Sequence, residues 1–343
     1  PNISSRHLAE SYYNIGTCLI FEGNLDKAEQ YMKQSKDEFS KVLGKDHPYL
    51  YKTYLKLGEI QSRRKHYEEA EKLIHLSIER LSNLDPEDPN HHHLAQPYLS
   101  LGLICLKKRK FKEAEEHFQN YLILLKKGRN EASPKFANCY IQLSELYSEM
   151  ARKHDSDPEL FEFYTLESLQ QLALDMREKA LEIYEKLFDE PNGRVAVCLS
   201  HIARLSIDAD KDFEYVYITF IDSLSIFSKI PDFQARNIAR TLKSFGEYLQ
   251  PVDKFEAAIC YYLAYLINYK YRGEEDSYTL ELKNLLSNLK ANPEELCEDQ
   301  LIILPGASEF NGEEQKKLIF EEISKIFEDD EACKVLSDLL KRI

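Results

Sequence analysis

Apolar residues recur along this chain at helical spacing, and the pattern itself repeats. Tyr12, Ile15 and Gly16 are followed by Leu25 and Ala28, and Tyr54, Leu57 and Gly58 by Tyr67 and Ala70. Tyr98, Leu101 and Gly102 are in turn followed by Phe111 and Ala114. In each copy the Ala stands 12 residues after the Gly, and the three glycines are 42 and 44 residues apart. A fourth copy starts at Tyr140, Leu143 and Ser144, again 42 residues on from Gly102. Leu199, Ile202, Ala203, Phe213 and Val216 carry a degenerate fifth copy, and Leu242, Phe245, Gly246, Phe255, Ala258 and Tyr262 carry a sixth. The spacing predicts pairs of amphipathic helices that bury their apolar faces against each other. The Gly or Ser of the first helix and the Ala of the second are small because the two backbones cross there.

Breaks between the pairs are equally regular. After Phe39, Val42 and Leu43 the second helix should stop at Gly44, with Pro48 ahead of the next start. Comparable breaks fall at 84–89, 128–134, 190–193 and Gly273. A hairpin of this size cannot hide its apolar face alone, so neighbours must stack. The predicted units lie near 9–48, 51–90, 95–133, 137–190, 196–232 and 239–275, with a capping helix at 277–291. Unit four carries an insertion of about 17 residues centred on 153–167, read as an extended first helix, a turn at Asp155-Ser156-Asp157-Pro158, and a long second helix. The hexamer Tyr-Val-Tyr-Ile-Thr-Phe at 215–220 has strand-like composition, but the period assigns it to a helix.

Residues 292–343 differ in kind. From 294 onward they hold 14 acidic and 6 basic side chains, more than half of the chain's net charge of −14. Leu318, Ile319, Ile323, Ile326 and Phe327 mark an amphipathic helix there, and Val335, Leu336, Leu339 and Leu340 another. The reading leaves two placements open for this acidic helical tail: stacked on the last repeat, or occupying the groove described below.

Composition narrows the function classes. Across 343 residues there are 11 Gly and 12 Pro, too few for a disordered or collagen-like chain. Seven cysteines with no C-x-x-C pair read as reduced thiols, and Cys18 and Cys105 as small buried residues of the hairpin core. The negative charge argues against general nucleic-acid binding, and no apolar run suggests membrane insertion. Pro1 in place of an initiating Met is read as the mark of a fragment. Phosphate-loop, dinucleotide, zinc-protease and nucleophile-elbow motifs are all missing from the sequence, so neither enzyme chemistry nor a cofactor or metal is expected. His91-His92-His93 is read as a polar loop, because adjacent residues converge poorly on one tetrahedral ion.

The Gly, the Ala twelve residues later and the aromatic before that Ala resemble the tetratricopeptide signature. The 42-residue period and the linker Val42-Leu43-Gly44-Lys45-Asp46-His47-Pro48 are similar to the kinesin-light-chain type of that repeat. The resemblance covers roughly residues 5–290. It implies an all-α, right-handed superhelical solenoid of about six hairpins whose concave wall is lined by first helices. Mapped onto this chain, that wall presents Tyr13 and Asn14, then Lys52, Lys56 and Arg63, then Ser100 and Lys107, then Asn138 and Gln142. Repeats five and six add His201, Arg204, Arg240 and Lys243. Family copies usually carry Asn-Asn on the first helix; here only Asn14 remains, and Lys56, Ser100, Gln142, His201 and Ser244 stand in its place.

The expected function is therefore a non-enzymatic adaptor whose groove holds a protein or peptide segment, an acidic one given the Lys and Arg on the wall. The alternative is a regulatory or sensor domain of a larger enzyme or complex, self-inhibited by the acidic tail. The resemblance implies a cytoplasmic setting with cytoskeletal or ciliary contexts. It assigns no oligomeric state.

Overall fold

The computed structural model describes residues 3–83, 91–127, 133–154, 164–189, 191–228, 230 and 235–289. The chain forms two compact units, Pro1–Leu169 and Gln170–Ile343. The described residues contain α-helices and two short 3-10 turns, with no strand among them. In the first unit lie α1 (Ile3–Glu22), α2 (Leu25–Leu43), α3 (Tyr51–Arg63), α4 (Tyr67–Ser82), α5 (Ala95–Lys107), α6 (Phe111–Lys127) and α7 (Pro134–Lys153). Helix α8 (Leu166–Leu187) spans the boundary, and α9 (Gly193–Asp208), α10 (Phe213–Ser228), α11 (Ala235–Leu249), α12 (Lys254–Arg272) and α13 (Ser277–Asn288) follow. Within each unit successive helices pack as antiparallel hairpins: α1 on α2, α3 on α4, α5 on α6, then α9 on α10 and α11 on α12, with α13 covering α12. The all-α hairpin fold is the one the sequence predicts, and residues 215–220 lie inside α10.

The hairpins of repeats one, two, three and five turn in the same way. Seven residues after the small crossing residue the backbone enters the left-handed region, at Gly23 (φ 80°), Lys65 (65°), Arg109 (60°) and Asp210 (51°). The next amide then reaches back across the turn: Asn24 N–H to Leu19 O, His66 to Gln61, Lys110 to Cys105 and Lys211 to Ser206. These bonds satisfy carbonyls that a helix end leaves open, and they fix the angle at which the second helix departs. Helix starts follow the capping rules as well. Asn24 and Asn192 accept from backbone amides inside their helices, and the Asp276 carboxylate accepts from the Tyr278 and Thr279 amides.

Where the helices cross, a large second-helix side chain lies against the Gly. A methyl group added at Gly102 would stand 2.5 Å from the Phe118 ring, at Gly58 2.8 Å from Ile74 and at Gly16 2.9 Å from Met32. Seven residues after the crossing Ala a buried Ser hydroxyl stitches the hairpin together. Ser35 donates to Ala9 O (2.8 Å) and Ser77 to Tyr51 O (3.1 Å), and Ser223 does the same to Ala196 O (2.7 Å) in repeat five. Neighbouring hairpins are joined by a charge pair that recurs with the period: Arg64 meets Glu29 and Asp26, and Lys108 meets Glu71 and Glu68. In the next repeat Met150 stands where the cation should be. There Glu115 instead accepts from the Tyr147 (2.7 Å) and Tyr164 (2.9 Å) hydroxyls.

Two expectations need correction. In repeat six the residue facing Gly246 is Ala257 with Tyr261, not Ala258 with Tyr262. The Ala257 amide donates to Asp253 O, and no residue of that turn has positive φ, so the turn is one residue shorter than in repeats one to three. Cys18 is exposed, whereas Cys105 is buried. Cys18 stands two residues after its Gly and Cys105 three, and that single step rotates Cys18 out of the hairpin core. The turn predicted at 155–158, the linkers at 84–89 and 128–132, and the acidic tail at 292–343 lie outside the described residues.

Candidate functional site

The residues mapped to the inner wall separate into those the fold consumes and those it leaves available. In the first unit, Tyr13 packs with Ile20, Met32 and Leu57, and burial pushes its phenol pKa up. Lys52 donates to the Tyr49 hydroxyl at 3.1 Å, with its ammonium 4.3 Å over that ring. Lys56 and Arg63 both pair with Glu59, at 2.8 and 3.0 Å, and Arg63 also donates to Ile20 O. Their charges are largely spent within the helix. Ser100 bonds back to Gln96 O, Gln142 is half-buried, and Asn14, Lys107 and Asn138 are exposed.

In the second unit the geometry converges. His201 and Arg204 are one turn apart on α9, and Arg240 and Lys243 one turn apart on α11. Because α9 and α11 are the first helices of successive hairpins, these faces meet. Together with Ser200, Asn237, Thr241, Ser244 and Tyr278 they line a pocket of about 280 Å³. Thr241 Oγ1 lies 2.8 Å from Ser200 Oγ and ties the two walls together. Lys243 is neutralised by Glu247 (2.6 Å) and Glu281 (3.2 Å). Arg204 and Arg240 are exposed, and neither forms an ion pair among the described residues.

His201 records the resulting field. Burial first, then the guanidinium groups of Arg177, Arg204 and Arg240, push its pKa down to about 3. At neutral pH its ring is uncharged, with one N–H to donate. The pocket thus offers two forked cations, an imidazole and several hydroxyls, a donor-rich set suited to a carboxylate or phosphate oxygen. Sequence reasoning missed Tyr278, which α13 supplies, and Arg177, a buried residue of α8. The signal for Tyr278 was the capping helix, placed correctly but without asking which side chains it turns inward.

Other candidates do not assemble. His93 stacks on Tyr51 with ring centroids 5.5 Å apart, and the described residues contain no cluster of metal-ligating side chains. Burial raises the Cys105 thiol to about 11, far from a reactive thiolate.

Residues 7–81 match the family model of the tetratricopeptide repeat. Those residues, the first two hairpins, are tetratricopeptide repeats. Among solved structures it is similar to BtubC (BKLC) from P. vanneervenii, with 18% identity and a TM-score of 0.59 over 74% of this chain and 94% of that one. It is also similar to a STAND protein with a tetratricopeptide repeat sensor from Pyrococcus horikoshii, with 17% identity and a TM-score of 0.58. That match covers 83% of this chain and 40% of the other. A Podosopora anserina protein of kinesin-light-chain type with nearly identical repeats aligns at 15% identity and a TM-score of 0.48, over 66% of this chain and 96% of that one. No curated protein matches. At these identities the likeness speaks to the fold. No helix among the described residues is long and apolar enough to cross a membrane.

Proposed function

We propose that this chain is a non-enzymatic interaction module whose α9/α11 pocket anchors an acidic segment of a partner protein. The observation that carries the reading is the pair Arg204 and Arg240, exposed and unneutralised at the mouth of a donor-lined pocket. Desolvated guanidinium–carboxylate bonds are strong and geometrically specific, so this is where affinity would concentrate. Lys107, Asn14, Asn138, Ser100 and Gln142 would contribute contacts within the first unit, and Lys52, Lys56 and Arg63 mainly shape its surface. The kinesin-light-chain-like repeat spacing supports adaptor work in the cytoplasm or on the cytoskeleton.

A second reading is a sensor domain of a larger assembly, with a small anion in the same pocket. The enclosed set of Ser200, Thr241 and Tyr278 hydroxyls favours it. Fluorescence anisotropy with fluorescein-labelled Glu- and Asp-rich peptides, repeated with inorganic phosphate as competitor, tests both. The expected result is micromolar peptide binding lost in R204E/R240E and retained in K56E. Peptide binding unchanged by R204E/R240E refutes the pocket. Saturable phosphate binding without peptide binding selects the sensor reading.

A further inference from the structure

The α9/α11 pocket holds more positive charge than one acidic side chain can neutralise. Three guanidinium groups act on His201: Arg177 of α8, Arg204 of α9 and Arg240 of α11. Lys243 adds a fourth cation, but Glu247 and Glu281 already hold it. Arg204 and Arg240 are exposed at the mouth and keep their charge. No carboxylate is among the described residues that line the pocket, and Val197 is their one aliphatic side chain. Arginine can only donate, and each serine or tyrosine hydroxyl and the neutral imidazole carry a proton to give. Thr241 is already committed, 2.8 Å from Ser200 Oγ and 2.9 Å from Asn237 O. The Tyr278 hydroxyl is held more loosely, by a 3.4 Å bond to Ala239 O. The lining is therefore short of acceptors, and what enters must bring them.

The number and direction of those acceptors select the entrant. An Asp or Glu side chain brings one negative charge and two oxygens in a single plane. With it seated, one guanidinium is left uncompensated in a partly desolvated site, and unpaired charge there is costly. A phosphate monoester brings a charge of about −1.5 to −2 at pH 7 and three oxygens that diverge. That charge balances Arg204 and Arg240 together. One oxygen takes the fork from α9 and another the fork from α11, while the third faces the Tyr278 hydroxyl or the His201 N–H. We infer, on the reading that this pocket anchors a partner, that its occupant is a phosphoryl group carried on a side chain of that partner. Docking then waits on phosphorylation of the partner, and Glu in the same position is a weak substitute. Free phosphate offers the same oxygens without the flanking segment, so the two sources differ in what the neighbouring residues add.

The test is fluorescence anisotropy of the full chain with three fluorescein-labelled Glu-rich nonapeptides, identical except for Ser, Glu or phosphoserine at the centre. The phosphoserine peptide should bind at least about tenfold tighter than the Glu peptide, the worth of one added charge-assisted bond. In R204E/R240E that preference should shrink to within about twofold, and R204K/R240K, which keeps the charge but loses the forks, should reduce it as well. Circular dichroism at the helix band checks that both variants fold. Equal affinity for the Glu and phosphoserine peptides overturns the phosphoryl assignment and leaves the acidic-segment reading standing. Failure of all three peptides to bind overturns both. A phosphoserine preference that both variants retain puts the group outside this pocket and overturns the inference. Inorganic phosphate that displaces the phosphoserine peptide at a concentration near the peptide's own Kd selects the free anion and overturns the side-chain source.

Discussion

Replacing Gly102 with Ala tests the packing logic of the hairpins at its tightest point. The new methyl group would lie 2.5 and 2.7 Å from two carbons of the Phe118 ring, where carbon atoms rest at about 3.5–4.0 Å. Phe118 is fully buried. The ring cannot swing into solvent, so the α5–α6 crossing must open. Overpacking of this kind costs about 1–3 kcal/mol. Against it, Ala in a helix interior is more favourable than Gly by about 1 kcal/mol. The net expectation is a loss of up to roughly 2 kcal/mol, which lowers the melting temperature of a unit this size by up to about 8 °C. The chain has no Trp, so urea melts are followed by circular dichroism at the helix band. A double-mutant cycle with F118L separates the terms. If the clash is real, F118L absorbs part of the Gly102→Ala cost and the two losses sum to less than additive. A Gly102→Ala protein more stable than the parent would show that helix propensity, not crossing distance, governs this position, and would falsify the argument for every glycine of the repeat.

Three further outcomes follow from the same structure. Lys65→Gly and Arg109→Gly relieve left-handed backbone at the hairpin turns, so each should raise the urea midpoint by the equivalent of about 0.5–1 kcal/mol; a lower midpoint contradicts the turn geometry. His201 takes a proton near pH 6.5 when unfolded but only near pH 3 when folded, so the unfolded chain binds more protons in between. The stability this group lends is present above pH 6.5 and lost as the pH falls towards 3; H201Q should flatten the dependence of melting temperature on pH in that window, and an unchanged slope counts against the basic surroundings of the ring. If the acidic tail competes for the pocket, deleting residues 306–343 should raise the pocket's affinity for an acidic peptide along with its salt sensitivity, and unchanged binding rules out that placement.

Much of this fold could be read from spacing alone. The crossing residues Gly16, Gly58 and Gly102 set the phase of the helices, and Gly44 and Gly273 mark helix ends. Repeat six slipped by a residue because Ala257 and Ala258 are adjacent and equally small, so the sequence offers two registers and only the length of the turn decides between them. The pocket was half legible: His201 with Arg204, and Arg240 with Lys243, share helix faces by simple counting. Which cations remain available was less so, since Glu281 reaches Lys243 from a helix that lies far along the chain. The pairing of Lys56 and Arg63 with Glu59 was visible as spacings of three and four, and it weakens the first unit as a basic surface. The exposure of Cys18 escaped because Cys18 resembles Cys105 until their one-step difference is laid on a helix.

The charge pairs between hairpins have a consequence for how such a chain changes length. Arg64 with Glu29 and Lys108 with Glu71 are one junction written twice, so a hairpin copied or excised at either place meets neighbours already fitted to it. Met150 ends that interchangeability, and Glu115 is committed to two tyrosines, Tyr147 ahead of the insertion and Tyr164 within it. Units ahead of that point are mutually replaceable bricks. The junction at Met150 is a keyed joint, and gain or loss of repeats should stop there.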